Sequence, residues 1–401
     1  MTMGNGWLPP VDRIAAEFAG LGAPAPPVAL QEAARGPNRA LATLLSWWEL
    51  HGEALPEPLA VELGCHRRRL ALYQGVLGEI RQVEPGVVAA KGPTVWGLYP
   101  PGLLRQTNDL DLVCPSTAGL WAVGRRLVAG GWSPGPMFLW RFDGETHVHA
   151  VLTRPSSEPM LIADEKIELT TIAYAGDHRR HEPRLRRWPE GGAPSVGDCL
   201  VWLLDELRER ELRMRDLFDA AVLVRAAQEA GAERVADEVA PLVSRYGLRP
   251  CLRRLSRRAG RCHPPAVPLL EQIECRAATL RGRQLPWPVR RHPAAAGLSM
   301  AVAIARNSGR PSTRDRADDL LVAVQRRVPV LGLFERGAPL YAMPLPGSPP
   351  AEGVTVSRDG GAWWLDTPLG RFVAVLGPAV LQEWVDRASG GAPAGCPVRI
   401  A

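Results

Sequence analysis

Lysine is almost missing from this chain: Lys91 and Lys166 are its two lysines, among 48 basic residues in 401. Where arginine is the default cation, a lysine marks a place suited to a compact point charge rather than a planar fork. Codon bias is the bland alternative, and the 40 glycines and 39 prolines are read the same way rather than as disorder. Long apolar runs are missing too. No stretch of about 18 apolar residues occurs, so no transmembrane helix is expected. Residues 1–7 carry no basic segment followed by an apolar one, so no secretory leader is expected. The 7 cysteines are odd in number and scattered, which fits neither a zinc pair nor a disulfide framework. With 46% hydrophobic and 22% charged residues the composition is that of a globular protein, and a cytoplasmic chain with reduced thiols is the expectation. A Gly-x-Ser-x-Gly elbow, a Walker loop and a dinucleotide glycine fingerprint are all absent.

What is there begins with an apolar run, residues 87–90, that stops at Lys91-Gly92. A second run, residues 110–114, contains Asp111 and follows directly on Asp109. Side chains at i and i+2 of a strand share a face, so Asp109 and Asp111 are expected to project together. Two carboxylates that close repel unless a cation lies between them, and a divalent metal is the usual answer. Phosphoryl or nucleotidyl transfer asks for a third acid from a neighbouring strand. Glu168 is the candidate, alternating with Ile167 and Leu169; Asp164 and Glu165 lie nearer a turn and are the runners-up. Glu168 is also a candidate to take the proton of an acceptor hydroxyl. Lys91 and Gly92 suit a cation and a close backbone approach to a triphosphate. Arg105, four residues before Asp109, suits a bidentate phosphate clamp, and Asn108 is grouped with the nucleotide contacts.

Along the chain, residues 1–85 read as helical, with helices expected near 11–18, 40–48 and 61–83. Residues 86–178 alternate short apolar runs with helical pieces, the pattern of a mixed α/β core; its strands are expected at 87–90, 110–114, 132–142, 147–152, 160–162 and 166–172. A polar connection over 179–192 leads to a helical region at 195–300. Residues 310–401 read as a small β-rich module, with strands near 328–334, 362–365 and 371–376. Trp47 and Trp48 are read as helix core rather than a stacking pair. His147 and His149 share a strand face, a polar pair more commonly than a metal site. Residues 249–291 carry a local charge of +9, and Arg254, Arg257, Arg258 and Arg261 share a helix face. Such a stripe binds phosphates, although a solvated face is the commoner use.

Lys91-Gly92, Leu98-Tyr99-Pro100, Arg105 and the 108–113 segment Asn-Asp-Leu-Asp-Leu-Val together resemble the uncharacterised nucleotidyltransferase family, within the DNA polymerase β-like superfamily. The likeness extends to His149, to Glu168 and to the helix around 215–219. Thr170-Thr171 stand where the family often has His-Trp, and Asn108 where it often has a small residue. The resemblance implies an α+β fold: a nucleotidyltransferase-like core with a short mixed sheet, flanked by helical regions and followed by the β-rich module. It implies Mg²⁺ held by Asp109, Asp111 and Glu168, and ATP or another NTP as donor. The acceptor, whether small molecule, peptide, protein or RNA, stays open. A catalytically inactive nucleotide- or RNA-binding protein on the same fold is the alternative, and a structural partner docking through the C-terminal module is a third.

Overall fold

The computed structural model describes residues 11–20, 27–142, 145–159, 161, 163–171, 194–280, 334, 340–359, 362–375 and 398–399. The expected connection over 179–192 and most of the expected strand at 328–334 lie outside these residues. The chain begins with α1 (Val11–Ala19), α2 (Pro27–Ala34), α3 (Leu41–Leu50) and the long α4 (Glu57–Val83). Next come β1 (Val88–Ala89), α5 (Gly92–Trp96), β2 (Leu110–Val113), α6 (Thr117–Ala129), β3 (Ser133–Phe142), β4 (Glu145–Pro155) and β5 (Asp164–Thr170). Helices α7 (Val196–Glu209), α8 (Met214–Ala230), α9 (Ala232–Arg245), α10 (Arg249–Cys262) and α11 (Val267–Thr279) follow. The last strands are β6 (Leu340–Pro344), β7 (Thr355–Asp359), β8 (Ala362–Thr367), β9 (Gly370–Val375) and β10 (Val398–Arg399).

Local chemistry sets the boundaries near the site. Ser116 caps α6 by accepting the Gly119 N–H at 3.0 Å, and Gly131, at φ 86°, turns the chain out of that helix where a side chain would be strained. Ser195 and Asp198 form a capping box at the start of α7, satisfying donors that the first helical turn leaves open.

The strands form one mixed sheet in the order β1-β2-β5-β4-β3-β6-β9-β8-β7-β10. Strands β2 and β5 are parallel; the other pairings are antiparallel. The fold is therefore α+β with a mixed sheet, but the sheet is not short. The C-terminal strands do not stand apart, because β6 pairs with β3 and extends the same sheet. Of the strand expected at 160–162, residues 160 and 162 lie outside the described residues, and Leu161 sits in a turn, 47% exposed. Strand β2 begins at Leu110, one residue after Asp109, so the i,i+2 argument does not govern Asp109.

One apolar cluster lies between the sheet and its covering helices. Leu110, Leu112, Ile167 and Leu169 meet Tyr73, Leu77 and Ile80 of α4 and Leu120 and Val123 of α6. A second cluster joins Ile14 and Leu44 from the N-terminal helices to Trp202, Phe218 and Leu252 from the later ones. No helix among the described residues is long and apolar enough to cross a membrane.

Two buried polar ties hold the sheet edge in place. Tyr73 donates to Asn108 O at 3.1 Å and accepts the Lys166 N–H at 2.9 Å, while Arg69 donates to Asp164 O at 2.9 Å. Helix α4 thereby pins the approach to β2 and the first turn of β5 together. On the other side, Arg105 grips Asp219 of α8 through Nε and Nη2, each at 2.7 Å, and Tyr99 donates to the same carboxylate at 2.8 Å. Removing one partner of a buried pair strands the other charge, which costs about 3–5 kcal/mol. Asp219→Ala should therefore lower the unfolding free energy read from a urea titration by that amount, and pairing it with Arg105→Met should recover most of the loss. An unchanged midpoint in the single variant would show that the pair does not hold the fold.

Candidate active site between β2 and β5

Parallel pairing sets Asp111 directly opposite Glu168, so the two carboxylates leave neighbouring strands on one face. Asp109 stands at the mouth of β2, half-buried. Lys91, between β1 and α5, brings Nζ to 3.7 Å from Asp111 Oδ1. The same ammonium lies 3.6 Å from Glu206 Oε1 of α7. Lys166, two residues before Glu168 on β5, donates to Glu168 Oε1. From β4, His149 places Nε2 at 3.4 Å from Glu168 Oε2. Both lysines of the chain thus stand among these acids.

The backbone is unusual here. Lys91 at φ 50° and Arg39 at φ 49° are the non-glycine residues with positive φ among the described residues. Such conformations cost about 1–3 kcal/mol and gather at functional sites. Gly92 is needed for room: a Cβ there would lie 3.2 Å from Arg105 Nη1 and 3.5 Å from Trp96 Nε1. That indole N–H is buried without a hydrogen-bond partner.

Of the residues expected from sequence, Lys91, Gly92, Asp109, Asp111 and Glu168 come together. Arg105 does not clamp a phosphate, because its fork is closed on Asp219 and its side chain is 6% exposed; it supports Gly92 from behind. Asn108 borders a cavity beyond Lys166. Of the runners-up, Asp164 is exposed and Glu165 points to Arg69 at 3.6 Å. His147 meets Thr171, and only His149 of the histidine pair reaches the acids. Glu206 was not foreseen, and neither was the arginine group around it. Arg210 bonds both Glu206 and Asp216, and Arg215 lies 3.8 Å from Glu206. Among the described residues no three His, Cys, Asp or Glu side chains are gathered closely enough to hold a metal ion by themselves.

No family model matches the chain, and no curated protein matches it. Among solved structures it is similar to an H. pylori protein assigned provisionally to the nucleotidyltransferases, at 13% identity and a TM-score of 0.30. The match covers 57% of this chain and 96% of that one. A likeness at that level fixes neither fold nor function.

Charge is unevenly shared in the cluster. Burial pushes Asp111 up to about 8; Lys91 opposes this, while Asp109, Glu168 and Glu206 add to it. Glu168 goes the other way: burial resists, but His149, Lys166 and Lys91 draw it down to about 2. Lys91 is held well above its ordinary value against burial, first by Asp111 and then by Glu206. Burial lowers Arg39, with Asp109 opposing and Arg215 and Arg210 reinforcing. Asp111 is therefore the acid of the site whose ionisation burial and the neighbouring carboxylates oppose most.

A carboxyl whose folded pKa exceeds its unfolded value stabilises the fold below the unfolded value and loses that contribution as pH rises through the folded one. For Asp111 that window runs from 3.8 to about 8. Asp111→Asn should consequently melt above the wild type at about pH 8–9 without added metal, the gap closing by about pH 4. Melting temperatures that coincide across this range would show that ionised Asp111 is not a buried burden.

Proposed function

We propose that the chain is a nucleotidyltransferase that moves an NMP, by default AMP, from an NTP to an acceptor and releases pyrophosphate. The observation that carries the reading is the cross-strand pair Asp111–Glu168 with Lys91 3.7 Å from Asp111: acids and a cation at one point on a rigid sheet edge. A magnesium ion characteristically takes one or two carboxylates and completes its shell with substrate phosphates and water rather than a protein cage. The donor set fits such an ion: Asp111 and Glu168 supply hard oxygens, Asp109 is adjacent, and a cation there would favour ionised Asp111, which burial and the neighbouring acids oppose. Asp109, Asp111 and Glu168 would hold Mg²⁺, which when bound neutralises developing phosphate charge.

The chain's own groups do the rest by positioning and charge. Lys91, fixed by Glu206 from behind, meets the triphosphate, and Gly92 lets the backbone approach closely. The unpartnered Trp96 N–H beside Gly92 is a further donor for a phosphate oxygen. The acceptor oxygen bonds to the α-phosphorus as the bond to pyrophosphate breaks, and the acceptor proton passes to solvent. Glu168 is a poor base for that proton, since its neighbours hold it down to about 2; its part is to bind and not to deprotonate.

A second reading has one observation behind it. Glu168 is already met by the Lys166 ammonium, so the cluster has an internal counterion, as a nucleotide-binding protein without turnover would have. Incubation with each α-labelled NTP and Mg²⁺, with and without cell extract, separates the two. Label transfer should fall at least about a thousandfold in Asp109→Ala and Asp111→Ala, with both variants folded. Nucleotide binding with no label from any NTP would favour the second reading, and full activity in both variants would sink the site assignment.

A further inference from the structure

A cavity of about 560 Å³ opens on the side of the acids away from Lys91, and the proposed reaction leaves it unassigned. Strand order sets the geometry: Lys91 arrives from the β1 side of β2, whereas the cavity lies past Lys166 of β5, whose register partner is Thr153 of β4. Its lining includes Gln106, Asn108, His66, Arg69 and Lys166. Asp109, Asp111 and Glu168 do not line the cavity, but two lining residues lead to them: Asn108 immediately precedes Asp109, and Lys166 is bonded to Glu168.

The walls are built and polar. Gln106 spends its carbonyl oxygen on the Ala42 N–H at 3.1 Å, which leaves its NH₂ for the cavity. Asn108 uses only its backbone oxygen, toward Tyr73. His66 and Arg69 are 9% and 7% exposed; His66 Nδ1 has no hydrogen-bond partner, whereas Arg69 Nε faces Glu165 at 3.6 Å. Burial, and then Arg69, lowers His66 to about 4, so its ring is neutral and both donates and accepts. Arg35 and Glu62, joined at 2.9 Å, add a donor and an acceptor at the rim. A hydroxyl also both donates and accepts, and this lining offers each in turn. No Phe, Tyr or Trp is among the described lining residues, and the one aromatic ring, that of His66, is 9% exposed, a poor stacking platform for a nucleobase or a single-stranded RNA. The volume lies within the range of small-molecule sites.

We infer that this cavity is the acceptor site and that the acceptor is a small polyhydroxylated molecule of the sugar or polyol class. The inference rests on the nucleotidyl-transfer reading. One hydroxyl would face Asp109 and Glu168, attack the α-phosphorus and lose its proton to solvent while pyrophosphate departs from the Lys91 side.

The test uses Ala163→Trp, which adds bulk at an exposed lining position; Lys91, Asp109, Asp111 and Glu168 are not among the described lining residues. The probes are a panel of sugars, sugar acids and polyols, total cellular RNA, and a dialysed protein extract, each with α-labelled ATP and Mg²⁺. Wild-type protein should label panel members, and Ala163→Trp should lower that labelling by about tenfold or more, the equivalent of roughly 1.4 kcal/mol. Affinity for a non-hydrolysable ATP analogue should stay within about twofold of wild type. Label entering RNA or protein instead of the panel would overturn the inference, as would panel labelling that the variant leaves intact. A parallel loss of ATP-analogue affinity would also overturn it, by making the cavity a nucleotide pocket. Wild-type protein that labels nothing in any arm would fail the nucleotidyltransferase reading itself, and the inference with it.

Discussion

The ammonium of Lys91 joins the two halves of this molecule. On one side it faces Asp111 on the sheet, and on the other Glu206 on α7. A single charge thereby couples the strand that presents the acids to the helical layer packed around Trp202 and Phe218. Its backbone is held at φ 50°, a conformation that survives only where the surroundings over-determine it. Those surroundings are Gly92, Trp96 and the Arg105–Asp219 pair behind them. Strain, buried acid charge and an orphaned N–H at one point are the marks of a site kept for a ligand rather than for stability.

The scaffold around that point resists collapse because its ties are polar and buried. Tyr73 fixes Asn108 against the first turn of β5, and Arg69 fixes Asp164. Asp109 and Glu168 are therefore positioned by α4, a helix that contributes no acid to them. Arg105 does the corresponding work on the α8 side. The acids can carry unbalanced charge because the elements beneath them are held independently.

Much of the site was legible in the sequence, and for physical reasons. A lysine in an arginine-using chain flagged Lys91 and Lys166, and both stand at the acids. The alternation of Glu168 with Ile167 and Leu169 put it on the polar face of its strand, opposite Asp111. What stayed hidden depended on partners far along the chain. Arg105 looked like a phosphate clamp because Asp219, 114 residues away, gives no local sign of claiming it. Glu206 is one of several acids in an amphipathic helix, and only packing singles it out. Short apolar runs at 362–365 and 371–376 between Gly/Pro turns marked strands there, but that they would join β3 through β6 follows from edge pairing, which hydrophobic pattern does not encode. Leu161 sits in a turn where a strand residue was expected, because an apolar triplet is too short to fix a period.

The central claim is that a negative charge on Asp111 is opposed by burial and by the neighbouring acids, and that a metal-bound nucleotide relieves this opposition. Carbon-13 NMR of the aspartate carboxyls, with Asp111→Asn to assign the resonance, reads that charge directly. The account requires the Asp111 carboxyl to titrate near 8 in the metal-free protein and to move toward ordinary carboxylate values when Mg²⁺ and a non-hydrolysable ATP analogue are added together. An Asp111 carboxyl that titrates like an exposed aspartate, and that does not respond to Mg²⁺ and nucleotide, would contradict it.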